Sequence, residues 1–184
     1  ELLARVRDAS GDAVNAFEVL PRDCLDIVLK HGQGGRDPLA EVHAWYVLAE
    51  IEAANDEERS RELLTETLAQ ASDDGLVADA VIASSEAQRR ALWALREDLN
   101  AAQKPAGASI KHDVSLPLGR IPDFIARAEA ATAKAVPGSR VLAFGHLGDG
   151  NVHFNVLQPP DMAPQEFLEL WTTISRLVHD IAVE

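Results

Sequence analysis

The sequence predicts an α+β fold, a largely antiparallel sheet with helices on one face, built as two ferredoxin-like units side by side. Three observations predict it. Strand-like and helix-like segments alternate, but as a βαβ repeat closing on a ββα pattern rather than the continuous repeat of a doubly wound parallel sheet. Residues 109–116 alternate cleanly, with Ile110, His112, Val114 and Leu116 on one side and Lys111, Asp113 and Ser115 on the other. Residues 141–157 (VLAFGHLGDGNVHFNVL) set two apolar runs around Gly148-Asp149-Gly150-Asn151, and Asp-Gly is a strong hairpin signal.

The elements follow in order. Residues 1–9 read as a short helix and 14–20 as a strand ending at Pro21; 22–31 is helical, with Leu25, Val28 and Leu29 on one face. The glycine-rich stretch 31–38 lacks the preceding strand and following helix that a phosphate cradle needs, and is a connector. Residues 44–52 form a strand with Trp45, Val47, Ala49 and Ile51 on one face. Asn55-Asp56 cap a helix running to about Ser72, which Asp73-Asp74-Gly75 ends. Residues 76–83 read as another strand. Ser85 caps the next helix with Gln88 at the reciprocal position, and this helix runs to Asn100 with Leu92, Leu95 and Leu99 inward. After strand 109–116, Pro122 opens a helix that closes at Pro137-Gly138. Beyond the hairpin, Pro159-Pro160 breaks the chain before an amphipathic helix carrying Phe167, Leu170, Trp171, Ile174, Leu177, Val178 and Ile181.

Composition excludes several classes of function. The 184 residues suit one domain, or two small units sharing a sheet, with a substantial core. A net charge of −13 without basic runs argues against nucleic acid or an anionic membrane as partner. Cys24 is the only cysteine, so no internal disulfide forms, and no His/Asn pattern marks it as a nucleophile. No secretory signal or bilayer-length apolar run is present, and a cytoplasmic, reducing compartment fits best. The chain opens at Glu1 inside a helical pattern and closes at Glu184 as another ends, which reads as an excised piece of a longer protein.

The hairpin holds the candidate chemistry. A type I′ turn at Asp149-Gly150 sets Gly148 opposite Asn151, Leu147 opposite Val152 and His146 opposite His153, with Phe144 and Asn155 on the same face. Opposed Cβ atoms lie about 4.5–5.5 Å apart, near enough for two imidazoles to share a metal. Farther from the turn the face becomes apolar, with Leu142 opposite Leu157. The Asp-Gly-Asn loop lacks the ligand pattern of a calcium-binding EF-hand, whereas an imidazole pair suits zinc, iron or manganese. Two histidines on a strand pair are also compatible with plain polar surface or with satisfied core residues. Arg96 and Asn100, four apart, share a helix surface. His112, on the apolar side of its strand, reads as buried and structural, and His179 as lying near solvent.

His-Leu-Gly-Asp-Gly-Asn-Val-His (residues 146–153) resembles the H-x-G-D-G-N-x-H signature in the C-terminal, substrate-capping region of FAD-dependent D-2-hydroxyacid dehydrogenases. That group includes D-2-hydroxyglutarate and D-lactate dehydrogenases and the glycolate oxidase flavin subunit. Lys111-His112-Asp113-Val114-Ser115-Leu116-Pro117 is similar to its second hallmark, and Ala94-Leu95-Arg96-Glu97 to a third, all in the same order. The resemblance implies that residues 1–184 are the C-terminal cap and substrate domain of an FAD-linked oxidase, without the preceding FAD-binding domain and a following Glu-His segment. It implies that His146 and His153 hold a divalent metal (zinc first, manganese or iron as alternatives) with a carboxylate from that segment. The proton acceptor is then the histidine of the same segment, so residues 1–184 contain no catalytic group, and without an FAD site they are expected to be inactive alone. Arg96, Asn100 and Lys111 would grip the substrate carboxylate, and Asn155 would donate near the metal. Asn100 stands where the relatives acting on 2-hydroxyglutarate carry Thr, a departure at the carboxylate clamp.

The implied reaction passes a hydride from a D-2-hydroxy acid of the D-2-hydroxyglutarate or D-lactate type to FAD, giving the 2-oxo acid. The implied partners are the small substrate, the FAD domain of the same polypeptide and an electron acceptor such as electron-transfer flavoprotein or a quinone, with a homodimer left open. A competing reading is a free-standing, non-catalytic ferredoxin-like module that binds a metal or a small acid.

Overall fold

Five strands form one antiparallel sheet in the order β2-β1-β4-β5-β3 in a computed structural model that describes residues 1–33, 35–52 and 56–184. The strands are β1 (Val14–Pro21), β2 (Trp45–Ile51), β3 (Ser109–Ser115), β4 (Arg140–His146) and β5 (Asn151–Leu157). Among the described residues eight helices accompany them: α1 (Leu2–Ser10), α2 (Arg22–His31), α3 (Glu57–Asp73), α4 (Glu86–Glu97), α5 (Leu99–Ala102), α6 (Ile121–Ala135), α7 (Pro164–Glu169) and α8 (Trp171–Val183). The fold is α+β, as the sequence predicts. Gly34 of the connector and Asn55 of the expected cap lie outside the described residues. Asp56 is the N-cap of α3, its Oδ1 accepting from Arg59 N at 2.9 Å.

The helices do not keep to one face. Ile110, Val114, Phe154 and Val156 bury against α6 and α8 on one side, while α1 and α3 cover Phe17 and Ile51 farther along that side. Leu20, Leu142, Phe144 and Leu157 point the other way and are sealed by α2, α4 and α5 through Cys24, Leu25, Val28, Leu95 and Leu99. The reason is that β4 and β5 are apolar on both sides. Burying a Leu or Phe side chain is worth roughly 1.5–3 kcal/mol, so the second apolar row recruits its own helices. Beyond that row the polar His146, Lys111 and Asp113 stay open.

The chain from β3 to α8 has the ferredoxin-like split arrangement, with β5 inserted antiparallel between β3 and β4. The first half shows only the neighbouring pair β1 and β2 with their flanking helices. Residues 76–83 are not a strand; they run along the surface without regular structure and pair with no strand among the described residues. The Ser85 cap forms, its Oγ accepting from Gln88 N at 3.2 Å, but Gln88 Oε1 accepts from Ser84 N at 2.7 Å rather than from Ser85. The expected helix to Asn100 is interrupted at Asp98, and the final amphipathic helix at Leu170.

The hairpin register also differs. Phe144, not His146, is opposite His153, and Leu142 faces Asn155, a shift of two residues. The turn is not type I′, since Asp149 is outside the left-handed region and only Gly150 enters it, at φ 79°. Residues 147–150 make a longer loop, with Asp149 N donating to His146 O at 3.3 Å and Asp149 Oδ1 accepting from Asn151 N at 3.1 Å. Leu116 N donates to Gly150 O at 3.0 Å, so the end of β3 helps to set the turn. A two-residue shift leaves every side chain on its face.

Candidate functional site

Where the second helical cover ends, a polar cluster spans four strands. His146 closes β4, His153 lies in β5, Glu18 in β1, and Lys111 and Asp113 in β3. The His146 and His153 rings share a face, their centroids 5.9 Å apart in an edge-on arrangement, with His153 tilted over Phe144 at 5.1 Å. Neither ring lies beneath the helices; the His146 side chain is 52% exposed and that of His153 28%.

Each imidazole is held at Nδ1 by a carboxylate, His146 by Glu18 and His153 by Asp113. A carboxylate only accepts, so the His153 tautomer that bonds Asp113 carries its proton on Nδ1 and keeps the Nε2 lone pair for a cation, and the Glu18 contact favours the same tautomer in His146. Such a carboxylate partner behind an imidazole is the usual support of a metal-ligating histidine. The donor set therefore fits a soft or borderline divalent cation at two positions. It is incomplete on its own: among the described residues no three His, Cys, Asp or Glu side chains converge where they could hold a metal ion.

Glu18 is the residue that sequence reasoning missed. It is wholly buried, and its second oxygen accepts from Arg96 Nε at 2.6 Å, so one carboxylate joins α4 to the end of β4. Its signal was present: Glu18 is the one charged residue in an otherwise uncharged strand, VNAFEVLP. Arg96 is buried as well and lies over the Phe144 ring at 4.9 Å. Its guanidinium is thus anchored through Nε, and only its terminal nitrogens remain for a ligand. Asn155 is buried and donates to Gln103 Oε1 at 2.9 Å, while Gln103 Nε2 donates to Leu99 O at 3.1 Å. Gln103 too was unmarked in the sequence.

Of the remaining expected residues, Lys111 is exposed and paired in register with Asn155 across β3 and β5. Asn100 is not brought to the cluster's core. It is exposed on α5, one turn beyond the buried Arg96. His112 sits on the opposite face, buried, with Nδ1 against Phe154 O at 2.8 Å and Nε2 against Ser175 Oγ at 3.1 Å. Burial holds its pKa below the ordinary 6.5, with the nearby His179 adding to the effect.

Residues 1–183 match the family of FAD linked oxidases, C-terminal domain. The chain belongs to this family. It is 35% identical over 158 residues to a probable mitochondrial D-2-hydroxyglutarate dehydrogenase of Oryza sativa subsp. indica, covering 85% of this chain and 28% of that protein. A D-2-hydroxyglutarate dehydrogenase of Xanthomonas citri pv. viticola is 35% identical over 165 residues, 90% of this chain and 34% of the relative. The mitochondrial enzyme of that name from Bos taurus is 37% identical over 146 residues, 79% and 26%. The chain thus spans about a quarter to a third of these relatives. No helix among the described residues is long and apolar enough to cross a membrane.

Proposed function

We propose that this chain is the substrate- and metal-binding cap of a flavin-dependent dehydrogenase that oxidises a D-2-hydroxy acid, D-2-hydroxyglutarate first and D-lactate second, to the 2-oxo acid. The observation that carries it is the pair of partly exposed imidazoles on one sheet face, their ring centroids 5.9 Å apart, each with its Nδ1 against a carboxylate. His146 and His153 would hold a divalent cation, zinc first, with manganese or iron as alternatives and a third ligand from outside this segment. When bound, the metal supplies Lewis acidity toward the substrate hydroxyl and the flavin supplies the hydride acceptor.

The chain's own residues bind and orient. Lys111 offers an unburied ammonium to a carboxylate, and the free terminal nitrogens of Arg96 add a second cationic contact, pre-aligned because Glu18 and Phe144 already hold the side chain. Asn155, fixed by Gln103, keeps its amide oriented beside His153. Asn100 would enter only from the rim. The proton acceptor lies outside residues 1–184, as does FAD binding, and electrons would leave the flavin to an electron-transfer flavoprotein or a quinone.

The test uses the full-length polypeptide. Metal content of His146→Ala and His153→Ala is measured by mass spectrometry beside turnover of D-2-hydroxyglutarate and D-lactate. Each variant should lose bound metal and most of kcat; normal metal content in both would overturn the assignment.

A further inference from the structure

The two halves of the sheet repeat one plan. In the second, α6 leads into the β4–β5 pair and α8 follows it, the two helices packing together over the strands. In the first, α1 leads into the β1–β2 pair and α3 follows, and α1 packs on α3 over Phe17, Ala49 and Ile51. The inner strands β1 and β4 meet antiparallel at the centre. All four helices lie on the same face. One element has no counterpart: β3 precedes α6 and pairs with β5 along its outer edge, whereas no strand among the described residues pairs with the outer edge of β2.

That edge borders a groove of about 940 Å³, lined by both faces of β2, by residues 76–83, by Leu64 of α3 and by Trp93 of α4. Its walls are largely apolar, with Glu50, Arg61, Asp79 and Arg89 among the charged residues that line it. Trp45 and Val47 of β2 are 48% and 44% exposed, and Leu76 and Val81 on the far wall 38% and 50%. An open edge strand with apolar side chains is a template for another strand, and native sheets cover or blunt such edges. Residues 76–83 have strand-like composition yet lie across the groove, not against β2. Among the described residues, their backbone bonds are confined to Leu76 N and Val77 N on Ala71 O, Ala83 O with Arg61, and Ala80 N with Asp79.

We propose that the groove holds an extended strand running antiparallel to β2, supplied by the residues that join Glu1 in the longer polypeptide. It would complete the first half as β3 completes the second. Leu2 and Val6 of α1 line the same groove, so the chain enters α1 from that place. The strand should be apolar on both sides, because α3 bounds the groove on one face and α4 on the other. Its docking is independent of the chemistry at His146 and His153.

Hydrogen exchange of the full-length polypeptide, read by mass spectrometry at peptide and then residue level, tests this. The β2 amides that point away from β1 should exchange within about tenfold of those that bond to β1, and amides of the segment preceding Glu1 should be equally slow. Outward β2 amides exchanging on the order of a hundredfold faster would overturn the proposal, as would an upstream segment that exchanges freely. Sedimentation at several concentrations separates the remaining occupant. Protection that disappears on dilution together with a dimer would mean that a second copy fills the groove, and would likewise overturn it.

Discussion

Replacing Glu18 by Leu tests the hub on which the polar cluster rests. Glu18 is fully buried and Arg96 is only 8% exposed, so removing the carboxylate leaves a guanidinium in the interior with the Phe144 face and no anion. Breaking a buried pair from one side costs about 3–5 kcal/mol, because the surviving charge remains desolvated and uncompensated. Arg96→Met should cost a similar amount, leaving Glu18 with His146 alone. In the double variant both buried charges are gone, so most of the loss should be recovered. Exchanging buried pairs for apolar side chains is often neutral or stabilising. Urea unfolding of residues 1–184 followed by circular dichroism reads all four proteins. For a chain of this size a loss of about 3–5 kcal/mol also lowers Tm by roughly 6–20 °C. Coupling of at least about 2 kcal/mol between the two sites is expected. Single variants costing under about 1 kcal/mol, or strictly additive losses, would refute a buried pair here.

Other outcomes follow from separate parts of the molecule. The folded-state pKa of His112 is depressed by burial, so the unfolded chain takes up the proton first and stability falls as pH drops below about 6.5. Tm of His112→Leu should therefore fall less than that of the parent between pH 8 and pH 5, and identical slopes would contradict this. Gly150→Ala places a Cβ against the carbonyl oxygen of Leu116 at a left-handed φ of 79°, and should cost at least about 2 kcal/mol in urea unfolding. The Cys24 thiol is buried in the α2 core and its pKa is raised by that burial, so an aromatic disulfide reagent should label it only at the rate at which the chain unfolds.

The elements of the hairpin were legible because strand periodicity is local. His146 and His153 share a face under either register, since a slip of two residues preserves the side of every side chain, so the candidate pair survives a wrong turn type. The turn itself was not legible. Asp-Gly is compatible with several loops, and the contact with Leu116, remote in sequence, selects among them. Residues 76–83 mislead for a related reason: strand composition expresses fitness for a pleated, half-buried surface and does not decide whether the segment docks on a sheet edge. Arg96 and Asn100 look equivalent on an uninterrupted helix. Tertiary packing buries Arg96 against Glu18 and Phe144 and leaves Asn100 exposed.

By itself the sequence determined the α+β class, the antiparallel strands and a face carrying His146, His153, Asn155, Lys111 and Asp113, because each depends on alternation within a few residues. Only the tertiary structure decided that helices cover both sides of the sheet and that Glu18 ties Arg96 to His146. It also decided that β2 faces an open groove. Those features join positions as far as 78 residues apart in the chain, and the free energy of burying a charge or an apolar row depends on what the rest of the molecule brings alongside it.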